Sequence, residues 1–463
     1  ISSRSRVTAD RLAALTLKAG AAACFGVSLL NLINVSHHAA SLSAAASYYG
    51  LPIGAGLSCI AALWLPSPWR NAVSVTGVSL VFSLYMAELY LALGGSALDR
   101  FPGAPPARDA RTKAQIVEDL RAQGFDASPY ITVFHIEARA ESGDISSPIV
   151  VNGREVWPFA SRSRAKLVVC REGAEYLVYD SDEHGFNNPP GMWHEQPLQI
   201  AAVGDSFTHG ECVSREKSFM GLVRARYPAT LNLGVSGTGP LSQLAIIREY
   251  LPLLRPKVVL WVFFAGNDIN DMEHERGSPL LRRYLENGFT QGLSLLQPEI
   301  DNAFRLRADA ALRQQLDLDA ARENQRRVDI AKLHHVRLLL RLSRDRQPAP
   351  SEASFDRLRT IVKAAKETVH AWEGQLLLVY LPSWTLYRRE LQRGDEEITR
   401  TRVIAMAQAV GIPLIDVQTA LQSASTTPLT LYQGHFNEAG NEVAANAILK
   451  GIAELTQHAS TSN

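Results

Sequence analysis

The chain has 463 residues, enough for two or three domains, and carries 47 Lys and Arg against 46 Asp and Glu. So even a balance gives no argument for nucleic acid or for any acidic partner, and no nucleic-acid partner is expected. The near-neutral overall hydropathy hides two populations, because residues 12–94 are dominated by Ala, Leu, Val, Ile, Gly and Ser while residues 100–463 have an ordinary soluble composition.

Three apolar stretches come first, at about 12–35, 44–65 and 72–95. Each has the twenty-odd residues that a helix needs to cross a bilayer core. Lys18 and Glu88 are the only charges inside them, both near an expected end where a long side chain can snorkel. A cleaved signal peptide accounts less well for three successive runs. Arg4, Arg6 and Arg11 precede the first run, the first loop holds His37 and His38 but no Lys or Arg, and the second loop holds Arg70. The positive-inside rule then puts the N-terminus in the cytoplasm and everything after about residue 96 outside. The small residues of "GAAACFG" (20–26) and "GLPIG" (50–54) predict close helix packing, among the spans or against a membrane-protein partner. His37 and His38 read as an interfacial polar pair rather than ligands.

Cys24 and Cys59 fall in the expected spans, and Cys170 and Cys212 are the only two in the outer part. An oxidising compartment favours pairing the latter, although two lone thiols stay open. The loop of about 40 residues so closed adds on the order of 3–4 kcal/mol in the chain-entropy view.

The expected divisions are an anchor at 1–98, a linker and small mixed α+β segment at 99–195, and an α/β domain at 196–460. "RFPGAPPARDA" (100–110) leaves the membrane as a Pro-rich linker, and short strand-like runs follow at 147–151, 165–170 and 175–180. From 198 onward, continuous apolar runs at 198–203, 229–235, 257–264, 375–381 and 412–417 alternate with amphipathic stretches. Runs of that kind predict parallel strands buried on both faces of an open sheet. An insert at about 271–350 reads as an added helical cap; a charge-rich insertion of this kind is most often solvated scaffold, and its position at the carboxyl end of a strand leaves a substrate-facing lid open. "SEASFDRLRTIVKAAKETVHAW" (351–372) supplies the regular crossover helix.

Four segments follow the strands. "VGDSFTHGECV" offers Ser206 after the first, "NLGVSGTGP" Gly237 after the second, "FFAGNDIND" Asn267 after the third and "YQGHFNEAG" His435 after the last. Ser206 taken alone reads as well as a helix cap. Together the four place a hydroxyl, a base, a closely approachable backbone and an amide donor beyond one sheet edge, which is the set that acyl transfer needs.

In order, spacing and local context these segments resemble the blocks of the SGNH (GDSL-type) hydrolase superfamily, over roughly residues 198–455. "SDEHGFNNP" (181–189) with three spans before it resembles its membrane-anchored bacterial members. The resemblance implies a three-layer, flavodoxin-like fold and no cofactor. It makes Ser206 the nucleophile, Ser206, Gly237 and Asn267 the oxyanion hole, and His435 the general base.

The family's usual Asp three residues before the base is here Tyr432. A Ser–His dyad, an acid borrowed from elsewhere (Asp268 or Asp182 among the candidates), and a domain without turnover all stay open. Asp205 reads as a turn-shaping residue and Asp416 as structural. His184, His209 and His274 have no ligand-like spacing, so no metal site is expected. The reading is a serine esterase of the bacterial cytoplasmic membrane with its catalytic domain periplasmic. Its expected substrates are O-acyl groups, acetyl above all, on a glycan or envelope polymer. An O-acyltransferase using the same site, or an impaired accessory subunit of a membrane complex, are the alternatives.

Overall fold

The computed structural model describes residues 3–33, 49–98, 111–310 apart from 136–137, 140–144, 148 and 173–174, and 350–461 apart from 389–392, with positions 109, 312, 330, 333 and 336 besides. Two compact units are present, Ile1–Arg100 with Leu318–Pro348, and Phe101–Asp317 with Ala349–Asn463.

In the first unit two helices are long and apolar enough to cross a membrane, over Val7–Leu29 and Ser67–Tyr90. In the expected middle span the described helix has 12 residues, Leu51–Ala62. At 1.5 Å per residue it covers about 18 Å of a hydrocarbon core about 30 Å thick, so three full spans are not established. The preceding residues 34–48, with His37 and His38, lie outside the described residues. Of the glycines in the two expected stretches, Gly20 packs while the others do not, and Gly56 beyond them packs as well. A Cβ on Gly56 would lie 3.0 Å from the Phe25 ring and one on Gly20 3.5 Å from the Cys59 sulfur, whereas Gly26, Gly50 and Gly54 have open space. Glu88 does not snorkel: it is buried and its carboxylate accepts the Val336 amide at 2.8 Å.

The second unit is built on five parallel strands, β1 (Ile200–Gly204), β2 (Thr230–Gly234), β3 (Val258–Phe264), β4 (Gln375–Leu381) and β5 (Leu414–Asp416), in the order β5-β4-β3-β1-β2. The apolar runs are continuous because both faces are covered. Trp261, Phe263, Leu378 and Tyr380 enter one core with helices Pro240–Leu254 and Glu352–His370. Leu260, Val262, Leu377 and Val379 enter the other with Phe219–Arg226, Val417–Ala424 and Glu438–Thr461. The result is a parallel-sheet, three-layer α/β unit.

The mixed segment is not set apart from that sheet. Val133, Ile149, Trp157, Phe159 and Phe186 lie in the same buried cluster as Trp261 and Phe263. The described start of the insert packs there too, through Leu281, Tyr284, Leu293 and Phe304. Buried Glu249 ties it down, accepting from Tyr284 Oη at 2.5 Å and from the amides of Gly292 and Leu293 at 3.0 Å each. This described start of the insert is packed as scaffold. Most of 313–349 lies outside the described residues.

Candidate active site

The strand order sets the layout. β1 lies between β2 and β3, so the loop carrying Ser206 is flanked by the loops carrying Gly237 and Asn267. Asp205 begins the four-residue helix Ser206–His209, its carboxylate accepting the Phe207 amide at 2.9 Å. The capping task thus falls to Asp205, and the Ser206 hydroxyl is left for another partner.

That partner is His435. Ser206 Oγ stands 2.8 Å from His435 Nε2. On the other side of the ring, Nδ1 lies 2.7 Å from Glu172 Oε1, while the backbone N–H of His435 donates to Glu172 Oε2 at 2.9 Å. With a carboxylate on Nδ1, the neutral ring carries its proton there and presents Nε2 as acceptor to the hydroxyl. The ring is also gripped on one face, with Phe207 4.8 Å away between centroids, and Phe207 packs in turn against Phe264 and Phe436.

The acid therefore comes from neither of the candidates named from sequence. Asp182 is buried and spends its carboxylate on the amides of His184 and Phe186 and on Asn188 and Trp193. Asp268 is buried under the end of β3, accepting the Phe264 amide at 3.0 Å. Tyr432, where the acid was looked for, is wholly buried, and its hydroxyl donates to the Pro382 carbonyl at 3.1 Å. Glu172 can reach the ring because residue 434 is glycine. Its φ is +104°, and a Cβ there would sit 2.6 Å from Glu172 Oε1.

On the opposite side of Ser206, Gly237 has φ +81° and faces Phe134 of the mixed segment, whose Cβ lies 3.4 Å from where a Gly237 Cβ would stand. The preceding amide, Ser236 N, donates to the Tyr130 hydroxyl at 3.2 Å. Helix Pro240–Leu254 has no side-chain cap of its own, and Glu275 substitutes, accepting from Gly239, Leu241 and Ser242 amides at 2.7, 3.0 and 3.2 Å. Asn267 Nδ2 donates to Asp271 Oδ2 at 2.8 Å, which leaves its second amide hydrogen for another acceptor.

A second carboxylate stands by the imidazole. Glu211 Oε2 is 3.5 Å from His435 Nε2, and Glu211 Oε1 accepts the Ser236 hydroxyl. Burial alone would lower the His435 pKa. The hydrogen bond and charge of Glu172, then the charges of Glu211 and Asp205, outweigh it and hold the value at about 9. Burial raises Asp205 to about 6 even though the His435 charge opposes it. Burial and then the charge of Asp205 raise Asp271 to about 7. His209, stacked on Tyr130 and 2.7 Å from the Tyr179 hydroxyl, is pushed down to about 4 by burial.

Cys170 and Cys212 are joined as a disulfide with Cα atoms 5.5 Å apart. Glu172 lies two residues beyond one half-cystine and Glu211 one residue before the other, so the bridge brings both carboxylates to the serine turn. Reading of the sequence missed both of them. The one pointer to Glu172 is non-local, since pairing Cys212 with Cys170 carries "CRE" to within six residues of Ser206. Asp416 is structural in its contacts, capping helix Val417–Ala424 through the Gln418 amide at 3.0 Å and pairing with Arg400.

A family model described as the GDSL-like lipase/acylhydrolase family matches residues 202–443, just over half of the chain. No curated protein matches it. Among solved structures, LAE5, an alpha/beta hydrolase enzyme from the metagenome of Lake Arreo, is 17% identical, with 56% of this chain and 97% of that one covered at a TM-score of 0.33. The psychrotrophic esterase EstA from Pseudoalteromonas sp. is 11% identical, with 56% and 99% covered at a TM-score of 0.31. The acetylxylan esterase Axe2 from Geobacillus stearothermophilus is 14% identical, with 55% and 94% covered at a TM-score of 0.32. Likenesses of this extent assign no substrate to the chain.

Proposed function

The chain belongs to the GDSL-like lipase/acylhydrolase family and is a serine hydrolase acting on esters, and on that premise we propose that it is a membrane-anchored, extracytoplasmic esterase that removes O-acyl groups, acetyl above all, from a glycan or envelope polymer. The observation that carries this reading is the hydrogen-bonded chain Ser206–His435–Glu172, at 2.8 and 2.7 Å.

In this mechanism His435 Nε2 takes the Ser206 proton as Oγ attacks the ester carbonyl carbon. The developing oxyanion accepts from the amides of Ser206 and Gly237 and from Asn267, which Asp271 holds in orientation. Collapse of the adduct breaks the carbon–alkoxide bond, and the imidazolium returns the proton to the departing alcohol. Glu172 fixes the tautomer and stabilises the imidazolium between the two transfers. Water then resolves the acyl-Ser206 by the same route.

Placement outside the cytoplasm is supported by the apolar helices, by the Arg-rich N-terminal flank and by the Cys170–Cys212 bridge, which an oxidising compartment maintains. Access for a polymer-borne ester is supported by the partial accessibility of His435 and Glu172, whose side chains are 20% and 24% accessible. The accessory-subunit alternative rested on Tyr432 standing where an acid was looked for and on the packing-prone apolar helices; Glu172 on the imidazole speaks against the first of these grounds.

The test is fluorophosphonate labelling of the full chain in detergent, alongside acetate release from an O-acetylated envelope glycan. Wild type is expected to label and to release acetate, and Ser206→Ala and His435→Ala to do neither. Folded wild-type protein that fails to label overturns the assignment of Ser206; labelling without acetate release overturns the substrate class.

A further inference from the structure

Resting on that reading of Ser206 and His435, we propose that Glu211 holds the second nucleophile, the molecule that resolves the acyl-Ser206. The established chemistry needs one carboxylate behind the imidazole, and Glu172 occupies that place on Nδ1. Glu211 stands at the other nitrogen, where the substrate reacts. Its Oε2 is 3.5 Å from Nε2, close enough for a single oxygen to lie about 2.8 Å from both atoms at once. Before acylation Nε2 is taken by the Ser206 hydroxyl. Once Oγ carries an acyl group it has no proton to donate, and Nε2 is open to the next hydroxyl.

A water in that position gives one hydrogen to Nε2 and the other to Glu211 Oε2, which fixes the direction of its lone pair. Its oxygen bonds to the acyl carbonyl carbon as Nε2 takes the first proton. The tetrahedral adduct then breaks its bond to Ser206 Oγ, Oγ recovers the proton from Nε2, and the carboxylic acid leaves. Glu211 ends the step as it began. A vicinal diol presents the same pair of donors from two oxygens, and its attack yields a new ester instead of an acid. The shared chemistry is an acceptor with two adjacent O–H donors.

The orientation of Glu211 is built into the site. Its Oε1 is held by the Ser236 hydroxyl, beside the Gly237 turn, so Oε2 alone faces the ring. In Glu211→Gln the carbonyl oxygen stays on Ser236, and an N–H donor replaces the lone pair beside Nε2. The substitution keeps the shape and removes the acceptor.

The experiment is stopped-flow hydrolysis of p-nitrophenyl acetate by the full chain in detergent, at a pH above about 9 so that His435 is neutral. For Glu211→Gln we expect acylation within about threefold of wild type and deacylation slowed on the order of 10²-fold. The nitrophenolate burst then approaches one per site, and acetyl-Ser206 is seen by intact mass. Ser236→Ala, which frees Oε1, shifts the same ratio in the same direction by less. Equal changes in acylation and deacylation, or no change in either, overturn the role of Glu211, as does a thermal melt showing that both variants are unfolded while Glu211→Asp, folded, deacylates normally. A wild type that gives no burst and matches Ser206→Ala overturns instead the reading of Ser206 on which this rests.

Discussion

Glu172→Gln is the substitution that separates a working triad from a chance contact. Glu172 meets His435 twice, at Nδ1 and at the backbone N–H, at 2.7 and 2.9 Å. Glutamine fits the same space but has one acceptor oxygen. If that oxygen keeps the backbone N–H, an amide N–H faces Nδ1 and the ring must place its proton on Nε2, the wrong side for a base. The His435 pKa of about 9, against 6.5 for a free imidazole, corresponds to about 3 kcal/mol in favour of the imidazolium. Glu172 supplies the largest raising contribution, ahead of Glu211 and Asp205. Loss of that stabilisation with the tautomer error predicts a fall in kcat on the order of 10³–10⁴, as for loss of the acid from a serine triad with its geometry intact.

The assay is kcat/KM for p-nitrophenyl acetate from pH 6 to about 10. A base works when neutral, so wild-type activity rises with pH and levels off above about 9. In Glu172→Gln the plateau is far lower, and the rising limb moves toward lower pH because the imidazolium has lost its main partner. The linked stability has the opposite sense. A histidine whose folded pKa is raised adds stability below its unfolded value, and that stability is lost as pH climbs through about 9. A folded Glu172→Gln protein with wild-type kcat and an unmoved limb refutes the reasoning.

Three further outcomes follow from the same geometry. Gly434→Ala puts a Cβ 2.6 Å from Glu172 Oε1 at φ +104°, so fluorophosphonate labelling of Ser206 should slow at least about 10²-fold while the melting temperature falls only modestly. Cys170→Ser with Cys212→Ser opens a loop of 42 residues and should cost about 4 kcal/mol in denaturant unfolding of the hydrolase unit, with activity falling more than stability because the Glu172 segment is released. Glu275→Gln keeps one acceptor oxygen and turns the other into an N–H donor, so one or two of the three amides that open helix Pro240–Leu254 lose their acceptor, and a loss of about 1–3 kcal/mol is expected in thermal or urea unfolding.

What could be read from the chain was what local pattern determines. The five strands lie where apolar runs lie, because a strand covered on both faces is built of apolar residues, as Val258–Phe264 and residues 376–381 are. Ser206, Gly237, Asn267 and His435 were legible because each follows a strand or helix at the same sheet edge. The acid was not, since its position depends on a contact spanning 263 residues, from Glu172 to His435. Nothing local marks a glutamate in "CREGAEY" as different from any other solvated one. The middle apolar run shows the converse limit: its composition suits a span, yet the helix described there is 12 residues long.

The placement of Glu172 also bears on what the catalytic unit is. The family match begins at residue 202, but the ring of His435 is oriented by residue 172, the amide before Gly237 is received by Tyr130, and Phe134 faces Gly237 itself. All three come from the mixed segment, and its apolar residues share a core with β3. A carboxylate hydrogen-bonded to Nδ1 orients and stabilises a histidine base, and the chemistry is indifferent to where in the chain it originates. With Glu172 on the imidazole, position 432 carries no charge in this chain. A buried tyrosine there packs on Phe436 and adds to the core instead. On the proposed mechanism the mixed segment is part of the active site, and the hydrolase fold without it keeps Ser206 and His435 but loses Glu172, which orients the ring.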